Sequence, residues 1–225
     1  MYQIFIIYEV LFYYLDMEIL NFDGHKEIPE TALQSARLYA NRHQMLLSLD
    51  KNKKWVEVGV AFGDLSEFII QNCTPKVFIG IDIFGWEKLE TAWGKPVKDT
   101  LGTKSHENFF KDRLQKLGED YRVQVETVNR NSWEALSNLN DVYDFIYIDA
   151  AHDYESVLKD TNAAIEKLSD AGVLIFNDYT WRDNVNGEIY GIVPVVNGLL
   201  SSGKWKIEAL ALHPLLFCDI AIRRC

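Results

Sequence analysis

Acidic and amide side chains stand directly after several short apolar runs, and a turn of small residues follows the first of them. The set is Glu57-Val-Gly59-Val-Ala61-Phe-Gly63-Asp64, then Asp82, then Asp149 with His152 close behind, then Asn177-Asp178. One acid after a strand says little, because aspartate caps helices and opens turns. Repeated at equivalent strand ends, such residues line the crevice where open α/β sheets hold their ligands. The small-residue turn lets backbone approach a ligand closely and presents helix N-terminal amides. Asp82 is placed to accept hydrogen bonds from the ribose hydroxyls of a nucleoside. His152 is the general-base candidate because imidazole titrates near neutrality; a structural histidine bonded to nearby backbone is the competing reading. Asp149, Asn177 and Asp178 offer oxygen ligands suited to Mg²⁺ or another hard divalent cation. The competing reading is that Asp149 contacts a cofactor or caps the helix starting near Asp153, with Asn177 and Asp178 making a turn.

The elements that must position these residues alternate in type. Apolar runs at Trp55–Val60, Val77–Ile81, Val123–Val128, Phe145–Ile148 and Val173–Phe176 read as strands. Helical candidates lie between them at Leu65–Gln71, His106–Leu117, Ser132–Leu139 and Tyr154–Leu168. This is the pattern of βαβ units and a largely parallel sheet. The stretch Phe84–Thr103, with Gly85, Gly94, Pro96 and Gly102, reads as a long loop, and loops of that length are usually functional. Its Trp86 and Trp93, with Tyr179 and Trp181, are candidates for an aromatic substrate wall, although aromatics more often pack the core. His106, which opens the next helix, is a secondary site candidate; His25, His43 and His213 have no supporting context. After a helix at Gly191–Leu200 come strands Trp205–Leu212 and Cys218–Ile222, whose short link holds no crossover helix, so they must be antiparallel.

Upstream, the apolar positions from Ile28 to Leu49 follow helical spacing with Pro29 near the start. Residues 1–49 therefore read as an N-terminal helical extension and residues 50–225 as one α/β domain. The opening MYQIFIIYEVLFYYLDMEIL is interrupted by Glu9 and Asp16 and preceded by no Lys or Arg, so it fails as a signal peptide and as a membrane span. It reads as a packing or homodimerisation element, or as an extension upstream of a start at Met17.

The net charge of −10 argues against nucleic acid as the main ligand, because phosphate backbones call for clustered Lys and Arg. A small molecule is the expected partner. Three cysteines, Cys73, Cys218 and Cys225, without CxxC spacing suggest neither a disulfide framework nor a zinc site, which fits the cytoplasm.

Asp144 to Thr180, DFIYIDAAHDYESVLKDTNAAIEKLSDAGVLIFNDYT, resembles the small-molecule and sugar O-methyltransferases among class I S-adenosylmethionine-dependent methyltransferases. Their pattern is an apolar strand, Ile-Asp-Gly-x-His-x-Tyr, a helix, Gly-Gly, an apolar strand and paired Asp. The resemblance runs from about Glu57 to the C-terminus and includes the terminal hairpin. It implies a Rossmann-like sandwich with a parallel sheet and a C-terminal antiparallel hairpin. It further implies that Glu57, Gly59, Ala61 and Gly63 line the methionine and ribose of S-adenosylmethionine, that Asp82 holds the ribose hydroxyls, that Asn131 and Ser132 flank the adenine, and that Asp149 belongs to both cofactor and catalytic sets. Ala61, Ala150 and Ala171 stand where the family has Gly, and Asn131 where Asp is frequent. The expected reaction is methyl transfer to a small-molecule hydroxyl, with a divalent metal at Asp149, Asn177 and Asp178 and His152 receiving the proton. Two alternatives are a non-catalytic S-adenosylmethionine-binding module and an NAD-dependent Rossmann enzyme. The incomplete glycine fingerprint, Gly59 and Gly63 without GxGxxG, counts against the second.

Overall fold

The computed structural model describes residues 26–225, so the apolar opening stretch lies outside the described residues. Among the described residues eight strands form one sheet, in the spatial order β1 (Arg37–Tyr39), β9 (Trp205–Ala211), β10 (Asp219–Arg224), β8 (Leu168–Phe176), β7 (Tyr143–Ile148), β2 (Lys54–Val58), β3 (Val77–Asp82) and β6 (Gln124–Asn129). Its centre is built from β2, β3, β7 and β8, with β6 at one edge. These strands run parallel, in register Val58 with Ile81 and with Ile148, and Ile148 with Phe176. From β2 the chain passes to β3 and β6 on one side, then crosses to β7 and β8 on the other. The order therefore reverses between β2 and β7, the place where such sheets open a crevice.

Both faces are covered, which is why the central strands read as nearly unbroken apolar runs. On one face Val56, Val58, Ile146, Ile148, Leu174 and Phe176 pack among α5 (Ser132–Asn138), α6 (Tyr154–Lys167) and α7 (Ile192–Ser201). On the other, Trp55, Phe78, Phe145, Tyr147 and Ile175 pack against α1 (Arg42–Leu47), α2 (Asp64–Cys73) and α4 (His106–Tyr121). The helices start where polar caps allow: Asn41 accepts from the Gln44 amide at 3.0 Å, Ser105 from Asn108 at 3.3 Å, and Asp153 from Ser156 at 3.0 Å.

The terminal hairpin is β9 (Trp205–Ala211) and β10 (Asp219–Arg224), antiparallel as expected, with β10 inserted between β8 and β9 and antiparallel to both. No described helix is long and apolar enough to cross a membrane.

Two expectations about secondary structure need correction. Residues 28–49 are not helical throughout. A 3₁₀ turn at Glu30–Leu33 and α1 are separated by β1 (Arg37–Tyr39), which pairs parallel with β9 as Arg37 to Ala209 and Tyr39 to Ala211. Ser35 at φ 72° breaks the helical path, and the free edge of β9 then offers Leu38 and Tyr39 a ladder. The 84–103 segment is likewise not a plain loop. It contains a 3₁₀ turn at Trp86–Lys88, a two-residue hairpin of β4 (Thr91–Ala92) and β5 (Lys95–Pro96), and α3 (Val97–Leu101). Trp93 and Gly94 both take positive φ at the hairpin tip, the geometry of a primed turn usually built from Asn-Gly.

Candidate active site

The turn after β2 follows from backbone geometry. Gly59, Ala61 and Gly63 all sit at positive φ, 84°, 47° and 84°. Gly59 is pressed against the end of β7, so a Cβ there would stand 1.9 Å from the Asp149 carbonyl oxygen. Ala61 adopts the left-handed conformation that explains the family's glycine. Gly63 caps α2 without a side-chain acceptor, so the first helical amides have no side-chain partner and suit an anionic or carbonyl group of a ligand.

Asp82, the last residue of β3, organises this turn. Its Oδ2 accepts from the Val60 and Ala61 amides at 3.0 and 3.2 Å, and its Oδ1 from Phe84 at 2.9 Å. Of about four lone-pair positions on a carboxylate, three are filled, which leaves room for a further hydroxyl donor. Asn129 of β6 pairs with Asp82, and Asn131, exposed, and Ser132, half-buried, follow it at the start of α5. The structure thus brings Asp82, the turn and Asn131-Ser132 to one end of the sheet.

Glu57 lies beneath the turn. It is 1% exposed and accepts from the Ser66 hydroxyl of α2 at 2.5 Å, so its carboxyl supports the turn from below. Burial pushes this carboxyl up to about 8, with the Ser66 bond and the distant Arg42 and Arg113 pulling down and Asp82 pushing up. Glu57 is therefore protonated in the fold at pH 7. A folded-state value above the ordinary 4.5 means the native state holds a proton that the unfolded chain has lost. Its contribution to stability is fully present below pH 4.5 and is lost as pH rises to 8. Glu57→Gln, neutral at every pH, is expected to flatten the fall in stability across that window; urea melts at pH 5 and pH 8 check it, and an unchanged slope contradicts it.

On the other side of the switch point, His152 Nε2 stands between two carboxylates, 3.8 Å from Asp149 Oδ1 and 3.7 Å from Asp178 Oδ2. The ring stacks on Tyr190 at 4.5 Å. Burial holds His152 below the ordinary imidazole value despite the pull of Asp178 and Asp183, so it is neutral and able to take a proton. Burial pushes Asp149 well above the usual carboxylate range, with Arg42 opposing and Asp178 and Asp219 adding; 27% side-chain exposure lets water screen part of this. Asp178, at φ 52°, is also raised by burial, with His152 opposing.

The metal reading meets a different arrangement. Asn177 is 5% exposed, and its Nδ2 donates to Asp149 Oδ1 at 3.0 Å while its Oδ1 faces the Tyr147 hydroxyl at 3.4 Å. Its amide oxygen is turned inward, away from any ion held by the two carboxylates. Among the described residues no three His, Cys, Asp or Glu side chains converge as a metal site. This donor set does not fit a hard cation's shell, and no step is routed through one.

Sequence reasoning missed the support of these acids. Tyr147 donates to Asp219, the first residue of β10, and Arg42 of α1 lies 3.7 Å from Asp219 and 3.4 Å from the Tyr147 hydroxyl. Arg42 is the cation that lets Asp149, Asp178 and Asp219 share one region. The available signal was a tyrosine inside an apolar strand and an acid opening another; a buried polar group needs a partner. His213 was also passed over, yet it lies within electrostatic range of Asp178. Of the proposed aromatic wall, Trp86 and Trp93 meet at 4.8 Å and lean on Phe62 of the turn, on the Asp82 side of the crevice. Tyr179 instead bonds Asn197 of α7. A separate groove of about 490 Å³, lined by Arg42, His43, Leu65, Phe68, Gln71 and Arg113 among others, runs along the outside of α2.

A family model described as a methyltransferase domain matches residues 56–179, more than half the chain. Among solved structures the chain is similar to ribosomal protein L11 methylase from Lactobacillus delbrueckii subsp. bulgaricus, with 14% identity over 81% of this chain and 76% of that one and a TM-score of 0.52. It is similar to a putative rRNA-methylase from Clostridium thermocellum, with 11% identity, 81% and 92% coverage and a TM-score of 0.55. It is also similar to the N-methyltransferase NodS from Bradyrhizobium japonicum WM9, with 15% identity, 81% and 93% coverage and a TM-score of 0.51. At these identities the structural likeness speaks for the fold. No curated protein sequence matches the chain. With that domain spanning the glycine turn, Asp82, Asp149 and Asn177-Asp178, the chain belongs to the methyltransferase-domain family and is an S-adenosylmethionine-dependent methyltransferase.

Proposed function

We propose that the chain methylates a hydroxyl group of a small molecule, with His152 as the base that receives the hydroxyl proton. The observation that carries this reading is the His152 imidazole set between Asp149 and Asp178 across the switch point from the turn, where burial holds it below the ordinary imidazole value. When bound, S-adenosylmethionine supplies an electrophilic methyl group on a sulfonium. The residues that fit it are the turn Gly59–Gly63, Asp82 for a ribose hydroxyl, and Asn131 and Ser132 beside them. Methyl transfer is an in-line displacement, so the protein's work is alignment and exclusion of water. Tyr190 holds the imidazole plane by stacking, and Asp178 stabilises the imidazolium formed once the proton arrives. Asn177 holds Asp149 through its donating Nδ2 amide.

A net charge of −10 supports a small molecule over the RNA named for some structural neighbours. The inward-turned Asn177 amide supports base catalysis over the metal-assisted alternative, in which Asp149, Asn177 and Asp178 would hold Mg²⁺. The test is S-adenosylhomocysteine release over a panel of small-molecule alcohols, phenols and amines, with RNA as comparison, before and after EDTA. Release with hydroxyl acceptors, unchanged by EDTA, is expected. Release only with RNA or amines contradicts the acceptor class, and loss on chelation contradicts the metal-free reading. Cofactor binding without release on any acceptor favours a non-catalytic binding module.

A further inference from the structure

His106 is 0% exposed, yet one of its ring nitrogens is unused. Its Nε2 lies 2.6 Å from the Ala61 carbonyl oxygen. A carbonyl only accepts, so Nε2 carries the hydrogen, and Nδ1 is left without a partner among the described residues. The ring is enclosed by Phe84 at 5.1 Å, Trp86 at 5.5 Å and Phe62 at 6.0 Å. Packing alone would favour a phenylalanine or leucine in such a cage, because an apolar side chain leaves no buried nitrogen unsatisfied. What histidine brings over phenylalanine or leucine is the bond to Ala61.

Ala61 is the one residue of the turn that holds a left-handed conformation without being glycine, at φ 47°. Its two flanking peptides are gripped from opposite sides. The Ala61 amide donates to Asp82, and the Ala61 carbonyl accepts from His106. Strained backbone of this kind persists only where its surroundings over-determine it. The 84–103 segment, with Trp86 and the hairpin bearing Trp93, supplies the cage that keeps the imidazole in place.

We propose that His106 is a positioning residue for the cofactor: it latches Ala61 in the left-handed form that shapes the S-adenosylmethionine turn, and the 84–103 segment serves to hold that latch. The proposal rests on the reading that residues 59–63 receive the cofactor. His106→Phe fills the cage and removes the donor. It is expected to weaken S-adenosylhomocysteine binding by about tenfold, the worth of one hydrogen bond. KM for S-adenosylmethionine rises with it while kcat at saturating cofactor holds. His106→Gln, which keeps a donor amide at similar reach, regains most of the affinity. Ala61→Gly in the His106→Phe background also regains affinity, because glycine enters the left-handed region without strain.

Calorimetric titration with S-adenosylhomocysteine reads all four proteins. If the wild type binds and His106→Phe binds equally well, the latch is overturned while the cofactor reading stands. If the wild type itself does not bind, the cofactor reading falls and the latch with it. Should His106→Phe not fold, nitrogen NMR of the wild-type imidazole decides. The Nε2–H tautomer supports the latch, and an Nδ1–H tautomer overturns it.

Discussion

Replacing Gly59 by alanine is expected to abolish cofactor binding and methyl transfer together. Two independent costs meet at this position. The φ of +84° is unfavourable for any L side chain, and a Cβ would stand 1.9 Å from the Asp149 carbonyl oxygen and 2.8 Å from the Ala150 amide nitrogen. These contacts are backbone, so no rotamer change relieves them. The strands must part at the switch point, which displaces the turn from Asp82 and Asp149 from His152 at once. A destabilisation of about 4 kcal/mol or more belongs to this short list of severe substitutions. Gly198, inside α7 with open space where a Cβ would stand, is the matching control. Alanine there should raise stability by ~1 kcal/mol through helix propensity. Thermal melts and S-adenosylhomocysteine titration of both variants check the pair; a Gly59→Ala protein that melts and binds as the wild type does would contradict the geometry of the turn.

The second large effect is expected for His152→Ala. Removing a positioned general base costs on the order of 10²–10⁴-fold in turnover. The loss should fall on kcat, with S-adenosylhomocysteine affinity kept, because His152 faces Asp149 and Asp178 across the switch point from the turn proposed to receive the cofactor. The pH dependence gives a sharper reading. Burial holds His152 below its ordinary 6.5, so the imidazole is already neutral at pH 7, and the acid limb of the wild-type kcat/KM profile should lie below 6.5. In His152→Ala that limb disappears. A loss of less than tenfold, or an acid limb that survives the substitution, assigns the proton to another group.

Much of this was legible in the sequence because the central strands are buried on both faces and so appear as apolar runs with their ends marked by polar residues. Asp82, Asp149 and Asp178 were found that way, and the sheet carries all three to its carboxyl edge. The strand β1 was not legible: three residues at a sheet edge leave no period, and their partner β9 lies far along the chain. The hairpin at Thr91–Pro96 escaped because its turn uses Trp93-Gly94, with a tryptophan at a position that usually signals itself by Asn or Asp. Within the site, each missed residue acts through a long-range contact. Arg42 reaches Asp219 and the Tyr147 hydroxyl, and His106, a candidate already in the sequence, takes its role only from its reach to Ala61. Such pairs carry no local spacing rule, and only the fold brings them together. Glu57 was legible as a residue of the turn, but its inward direction towards Ser66 depends on the packing of α2 against β2.

The acids at the strand ends thus divide into two groups, one on each side of the β2–β7 switch point. In the proposed function the turn and Asp82 take the cofactor, and Asp149, His152 and Asp178 face the acceptor. A crystal structure with S-adenosylhomocysteine bound tests this division most directly. The ribose is expected at Asp82, the adenine beside Asn131 and Ser132, and the sulfur over the Gly59–Gly63 turn, facing His152 across Asp149. A ligand seated in the groove along α2, or a sulfur turned away from His152, would contradict it.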